Sequence, residues 1–467
     1  MYERLSFLDN TFLAMEGPTN PMHVGATLVF SAGNLGTEAG GVDIDAIRAF
    51  IGNRMQYVPR YRQRLEWIPV ERHPVWVDDA SFDIAYHVRH TALPRPGTEE
   101  QLRGLAGTIL SQSLDRTRPL WEAWVVEGLP EGGFALVSKV HHCMVDGIGG
   151  VDLLKVLLAP LPTDHVGAPD DYQPRPAPSR SQLFADEVAR RMRAPLEAVQ
   201  SVRKLVDGSK ALSEELRQRL TAMTASARSG WFSRASATPL NRRIGPNRRI
   251  DFLHTDLGQV KAVKDALGGT VNDVVIAAVA GAVRSFLIEE RGTDVTGLDF
   301  RAMVPVSTRG EWPLAESSNA VTMWLLDLPI DEPDPAERYR KVREGTDHLK
   351  DTDQATGAAL LTQSASFTPS TVLSVAARVA AATARPFNMT VTNVPGPQVP
   401  LYLLGARLRR IFPMLPLWVN HGIGVALFSY NGALDWGIVS DWDTVPDIEA
   451  FTACLRGALD ELHAAAK

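Results

Sequence analysis

The chain of 467 residues is 45% hydrophobic and 22% charged, the usage of an ordinary soluble globular protein, which excludes disorder and fibrous repeats. At roughly 100–200 residues per domain, its length predicts two or three domains with a sizeable core. A net charge of −6 argues against a general nucleic-acid binder, and two cysteines, Cys143 and Cys454, allow neither a disulfide framework nor a four-thiolate zinc site.

The first residues, MYERLSFLDNTFLAMEG, carry Glu3, Asp9 and Glu16 among the apolar ones. They read as neither a secretory signal nor a membrane anchor, and the mature chain is expected to start at Met1, in a reducing compartment. Residues 24–30 read as a strand, 44–56 as a helix, and 121–126 and 134–140 as strands, giving a mixed α/β domain over 1–161. The proline-rich stretch 160–178 opens a linker, followed by a helical pattern over 182–226. Between 175 and 249 there are 16 Lys or Arg against 6 Asp or Glu, a net charge of +10 that leaves −16 for the rest of the chain. Such a segment is a candidate surface for anionic lipid or a phosphate-rich ligand, or else a solvated connector. Linker and connector together occupy 162–249. A second α/β unit over 250–467 carries predicted strands at 301–306, 321–328, 389–392, 425–430 and 434–440. The uncharged stretches 354–376 and 411–434 are long enough to span a bilayer, but their Ser, Thr and Gln, or Pro413, Pro416, Asn420 and His421, argue against it.

The segment most charged with chemistry is GFALVSKVHHCMVDG, residues 133–147. Strand alternation sends Phe134, Leu136, Ser138, Val140 and His142 to one face and Ala135, Val137, Lys139 and His141 to the other. His142 then ends the strand, and Asp146 follows in a glycine-rich turn. A neutral imidazole within reach of a hydroxyl is a general base worth on the order of 10²–10⁴-fold in rate. Two histidines at a strand end also occur as polar groups at a core edge. Metal binding is disfavoured, because neighbours on opposite faces do not readily share one ion.

HHCMVDG resembles the HHxxxDG motif of the CoA-dependent acyltransferase superfamily, which includes chloramphenicol acetyltransferases and peptide-synthetase condensation domains. The ordered set LSFLDNTFLAMEGPTNPMHVG, LDRTRPLWE, TVNDVV, MVPVSTR and NVPGPQVPLYLLGA resembles, more narrowly, the bacterial wax ester synthase/diacylglycerol acyltransferase family over nearly the whole chain. The resemblance implies an α/β fold of two chloramphenicol-acetyltransferase-like domains with a channel between them. It makes His142 the base that deprotonates an acceptor alcohol, His141 a supporting residue, Asp146 the organiser of the loop and Gly147 its turn. The implied partners are acyl-CoA and diacylglycerol or a long-chain alcohol, with no metal and no redox cofactor. The implied place is the cytoplasm, peripheral to the inner membrane or lipid inclusions. A donor held on a carrier protein, or lipid binding without catalysis, are the rival readings. Cys143 fills a variable position of the motif and reads as packing.

Asn272 and Asp273 open an apolar helix. Thr270 and Asp273 have the spacing of a capping box, which by itself accounts for Asp273, whereas Asn272 could donate to an oxyanion at the helix N-terminus. Pro119, Leu120 and Trp121 are implied by the family in substrate binding, and Asp273 with them; a core aromatic is the plainer reading of Trp121. Phe412, Met414, Leu415, Leu417 and Trp418 could line an acyl tunnel, meet lipid, or pack the core.

Overall fold

The computed structural model describes residues 2–37, 41–144, 154, 156–163, 166–167, 171–192, 234–307, 321–351 and 385–467. Asp146 and Gly147, most of the basic connector and the stretch 354–376 lie outside these residues. The strands are β1 (Glu3–Arg4), β2 (His23–Phe30), β3 (Gln63–Trp67), β4 (Pro74–Asp78), β5 (Val88–Ala92), β6 (Trp121–Glu127), β7 (Phe134–His141), β8 (Arg248–Asp256), β9 (Arg301–Ser307), β10 (Val321–Asp327), β11 (Met389–Pro395), β12 (Tyr402–Leu403), β13 (Ala406–Met414), β14 (Ile423–Tyr430) and β15 (Ala433–Asp441). The helices that matter below are α1 (Phe7–Met15), α2 (Ile44–Arg54), α3 (Ile84–His87), α4 (Glu99–Ser111), α5 (Leu257–Leu267), α6 (Val271–Ser285), α7 (Pro335–Asp351) and α8 (Ile448–Ala465).

Two six-stranded mixed sheets dominate, in the orders β12-β13-β2-β7-β6-β5 and β10-β9-β11-β14-β15-β8, beside a small sheet β1-β4-β3. The predicted strands are all present within a few residues; β1, β3, β4, β5, β8, β12 and β13 were not foreseen. Polar side chains close the helix starts: Thr98 and Gln101 form a capping box on α4, and Thr270 and Asp273 form one on α6.

The sheets cross the division expected at residue 250. β13 comes from the C-terminal part of the chain yet pairs antiparallel with β2 in the first sheet, from Leu408 opposite Phe30 to Met414 opposite Gly25. It also lies on the second sheet: Asp435 Oδ2 accepts the Ile411 N–H at 3.0 Å, Tyr430 Oη donates to Leu408 O at 3.1 Å, and Phe252 stacks on Phe412 at 4.1 Å. A third core layer forms between the sheets, from Ala135 and Val137 of β7, Phe252 of β8, Phe412 and Met414 of β13, Val439 of β15 and Leu102, Ile109 and Leu110 of α4. Phe412, Met414, Leu415 and Leu417 are therefore spent on this core, and only Trp418 of that set is left half-buried. The remaining faces bury two further cores, one under β2, β6 and β7 and one around α6.

The helical run Val271–Glu290 has the length and apolarity of a membrane span. Val274 through Val283 are nonetheless buried in the second domain's core, so the all-round apolarity is that of a central helix.

The two sheets approach closely where Gly437 meets Pro413: a Cβ on Gly437 would lie 1.7 Å from the Pro413 carbonyl oxygen. Backbone cannot swing aside as a side-chain tip does. Gly437→Ala is expected to lower stability by about 1–3 kcal/mol or more, read as a lower urea midpoint, whereas Gly457→Ala on α8, which meets nothing within 4 Å, should leave it unchanged or raised.

Candidate active site

β7 ends at His141, and His142–Met144 form one tight 3-10 turn. The alternation along β7 holds: Phe134, Leu136 and Val140 face the first domain's core, Ala135 and Val137 the layer between the sheets. The two histidines accordingly have different surroundings.

His142 stacks on Phe12 of α1, ring centroids 3.8 Å apart, and Phe12 in turn contacts Trp418 at 6.3 Å. Trp418 meets Phe387, which lies against His421, so a run of rings joins His142 to the second domain. His142 is half-buried. Its Nδ1 is buried with no hydrogen-bond partner, while Nε2 is not buried. Burial, aided by the neighbouring His141, holds the imidazolium down to about 4. The ring is neutral at physiological pH, with one nitrogen open to accept a proton.

His141 is fully buried. Its Nδ1 accepts the Cys143 N–H at 3.1 Å, which puts the proton of the neutral ring on Nε2, facing Glu16 Oε1 at 3.5 Å. His23, directly opposite His141 across β2 and β7, faces the same oxygen at 3.4 Å. Arg116 clasps the other Glu16 oxygen through Nε at 3.1 Å and through Nη2, and Nη2 also donates to Leu13 O at 3.2 Å. Burial would raise the Glu16 carboxyl; His141, His23 and the Arg116 guanidinium outweigh it and hold the group well below the carboxylate range. A buried anion thus sits behind the motif.

Local sequence explains how Glu16 arrives there. α1 stops at Glu16, whose N–H still bonds Phe12 O. The Gly17-Pro-Thr-Asn20 turn follows, with Asn20 Nδ2 donating to the Met15 carbonyl at 2.7 Å. The Met22 N–H then bonds Glu16 Oε1 at 3.2 Å, and the Met22 carbonyl accepts the His142 N–H at 2.8 Å. The backbone of the turn bearing His142 is therefore tied to the same carboxylate as His141.

Pro119, Leu120 and Trp121 are buried. Trp121 donates its indole N–H to Tyr61 O at 2.8 Å and stacks on His87 at 4.7 Å, while Leu120 O accepts the His141 N–H at 2.9 Å. These contacts brace the strand end. Asp273 is likewise engaged: Oδ2 accepts the N–H and hydroxyl of Thr270 at 2.7 and 2.8 Å, and Oδ1 accepts the Thr346 hydroxyl at 2.7 Å. It is a cap. Asn272 is half-buried at the second position of α6, and among the described residues no hydrogen bond or ring contact joins it to His142. Burial pushes the Cys143 thiol well up, which suits packing and not nucleophilic attack.

Glu16, His23, Arg116 and Phe12 were not singled out from the sequence. All four lie inside segments that carry the family resemblance, and only the fold shows that they converge. Lys139 was also passed over; it is buried, with Nζ bonded to Ile109 O and Gln112 O at the end of α4 and 3.6 Å from Glu122.

Glu16→Ala removes the acceptor of the Met22 N–H and the anion that His141 faces, which costs about 1–3 kcal/mol of stability. Under conditions where the variant is folded, kcat should fall with little change in KM, because the turn and not a binding surface is disturbed.

A wax ester synthase/diacylglycerol acyltransferase catalytic domain model matches residues 5–275, and a WS/DGAT C-terminal domain model matches 317–463. Among curated relatives, Rv1760 of Mycobacterium tuberculosis, whose name proposes a diacylglycerol O-acyltransferase, is 35% identical over 98% of this chain and 90% of its own length. A second protein of that organism, tgs1, named in similar terms, is 32% identical over 91% of this chain and 89% of its own. Among solved structures, the wax ester synthase/diacylglycerol acyltransferase from Marinobacter aquaeolei VT8 superposes with a TM-score of 0.68 at 28% identity, covering 99% of both chains. The starter condensation domain of rhizomide synthetase, at 13% identity and a TM-score of 0.58 over 100% of this chain and 94% of that one, shares the fold.

Proposed function

This chain belongs to the wax ester synthase/diacylglycerol acyltransferase family and is an acyl-CoA-dependent O-acyltransferase, and from that premise we propose that it carries a long-chain acyl group to diacylglycerol, with long-chain alcohols as second acceptors and His142 as general base. The observation that carries this reading is the state of His142: neutral, held by a fixed turn, with Nε2 accessible. The acceptor hydroxyl gives its proton to Nε2 as its oxygen attacks the thioester carbonyl. The tetrahedral oxyanion collapses, the C–S bond breaks, and the departing CoA sulfur takes the proton back from the imidazolium. A thioester is already activated, so orientation, a base and an oxyanion donor suffice. No acyl-enzyme, metal or redox cofactor enters this scheme.

Asn272, at the N-terminal end of α6, is our candidate oxyanion donor, where the helix dipole favours negative charge. Asp146 and Gly147 keep the loop roles implied by the motif. Both acceptors partition into lipid, so we place the enzyme on the cytoplasmic side, peripheral to the inner membrane or to lipid inclusions.

Product formation from labelled palmitoyl-CoA, with diolein or hexadecanol as acceptor, tests the reading directly. Wild type should form ester with diolein and, to an extent this assay ranks, with hexadecanol, and a folded His142→Ala variant should lose it by on the order of 10²–10⁴-fold. Ester formed equally well by the variant would remove His142 from the chemistry. Asn272→Ala should lower kcat by roughly 10²–10³-fold. Thr270→Ala, which only weakens the cap, should cost about 0.5–2 kcal/mol of stability and spare kcat.

A further inference from the structure

The small sheet carries a hairpin whose tip, residues 68–73, connects β3 to β4. At that tip Val70 is 86% exposed with φ +70°, a left-handed conformation rare for a β-branched residue. Against the hairpin packs a helical segment over 180–192. Leu183 is buried on Ile68, Val75 and Val77. Glu187 is buried too, clasped by Arg4, Arg190 and Arg191, and those arginines also reach Glu71 of the hairpin tip at 3.5–3.7 Å. Tip and helix are therefore packed into one unit.

That unit turns an apolar stripe outward. Phe184, Val188 and Met192, four residues apart on one helix face, are 46%, 38% and 67% exposed. Arg72 and Arg180 are exposed at the hairpin and at the helix start, and among the described residues no carboxylate pairs with either. Apolar tips interspersed with free guanidinium groups suit an anionic lipid surface, where side chains enter the acyl boundary and arginines meet phosphates. The same hairpin borders a cleft of about 500 Å³ lined by Trp67, Arg72 and Pro74 together with Asn10, Leu13 and Arg116. That cleft lies on the face of α1 opposite Phe12, so one helix separates it from His142.

We propose that the 68–73 tip and the Phe184–Val188–Met192 face dock this enzyme on an anionic bilayer surface. The proposal rests on the placement at lipid given above and names the surface responsible. The full chain is sedimented with phosphatidylcholine vesicles containing or lacking phosphatidylglycerol, without acyl-CoA, so that the outcome is independent of catalysis. Wild type should bind the anionic vesicles more tightly and release them with salt. The triple variant Val70→Glu, Phe184→Glu, Met192→Glu should bind at least roughly tenfold more weakly, while Phe184→Leu with Met192→Leu binds as wild type. Palmitoyl transfer to hexadecanol in detergent should be the same for all three, which shows that they are folded. Unchanged vesicle binding by the triple variant would overturn the proposal. So would a wild-type dimer in solution that Phe184→Glu splits, since a second copy would then cover this face.

Discussion

A buried carboxylate with few donors is expensive, and the chain around the HH motif is arranged to meet that demand. Glu16 leaves the end of α1 and enters a space walled by His23, His141 and Arg116. Once it is there as an anion, the proton of His141 is drawn to Nε2, Nδ1 is left to accept the Cys143 amide, and the turn bearing His142 is set from beneath. The Met22 link from Glu16 to the His142 N–H sets it from the side. The division of labour is sharp: the His141 ring is held between the Cys143 N–H and Glu16, whereas the His142 ring makes no hydrogen bond to another side chain among the described residues.

The second constraint is the crossing of β13. By pairing with β2 while lying on β14 and β15, it places the 415–422 loop, and with it Trp418, over Phe12. α4 reinforces the junction, with Arg103 paired to Asp251 of β8 and the Ser111 hydroxyl accepting the Arg248 N–H at 2.8 Å. Arg248, buried with Asp441, reaches back to Thr19 O in the turn after Glu16. The loop that delivers Glu16 is thus braced from the other domain, so that the site is a property of both halves.

Much of this was legible in the sequence, for identifiable reasons. Buried strands such as 134–141 and 423–430 announce themselves by β-branched and aromatic runs, and the TVND segment announces its cap by spacing alone. β13 escaped because ARLRRIFPM reads as basic and proline-broken, and its partner is almost 400 residues away. Trp121 and Asp273 carry family motifs, yet local chemistry already pointed to a core aromatic and a cap, and their hydrogen bonds agree with that. Glu16 and His23 could not be found by pattern, since a single acid near a helix end and a single histidine before a strand are ordinary. Their meaning lies in a convergence only the fold creates.

Glu16 fixes the turn, and burial beside His141 leaves His142 as a neutral base of low basicity in the resting enzyme. The most direct measurement is a ¹⁵N-imidazole NMR titration of the full chain, with His142→Gln to assign the signal. A His142 ring that is neutral at pH 6 and titrates near 4 is expected; an imidazolium at pH 6 would rule out a neutral resting base.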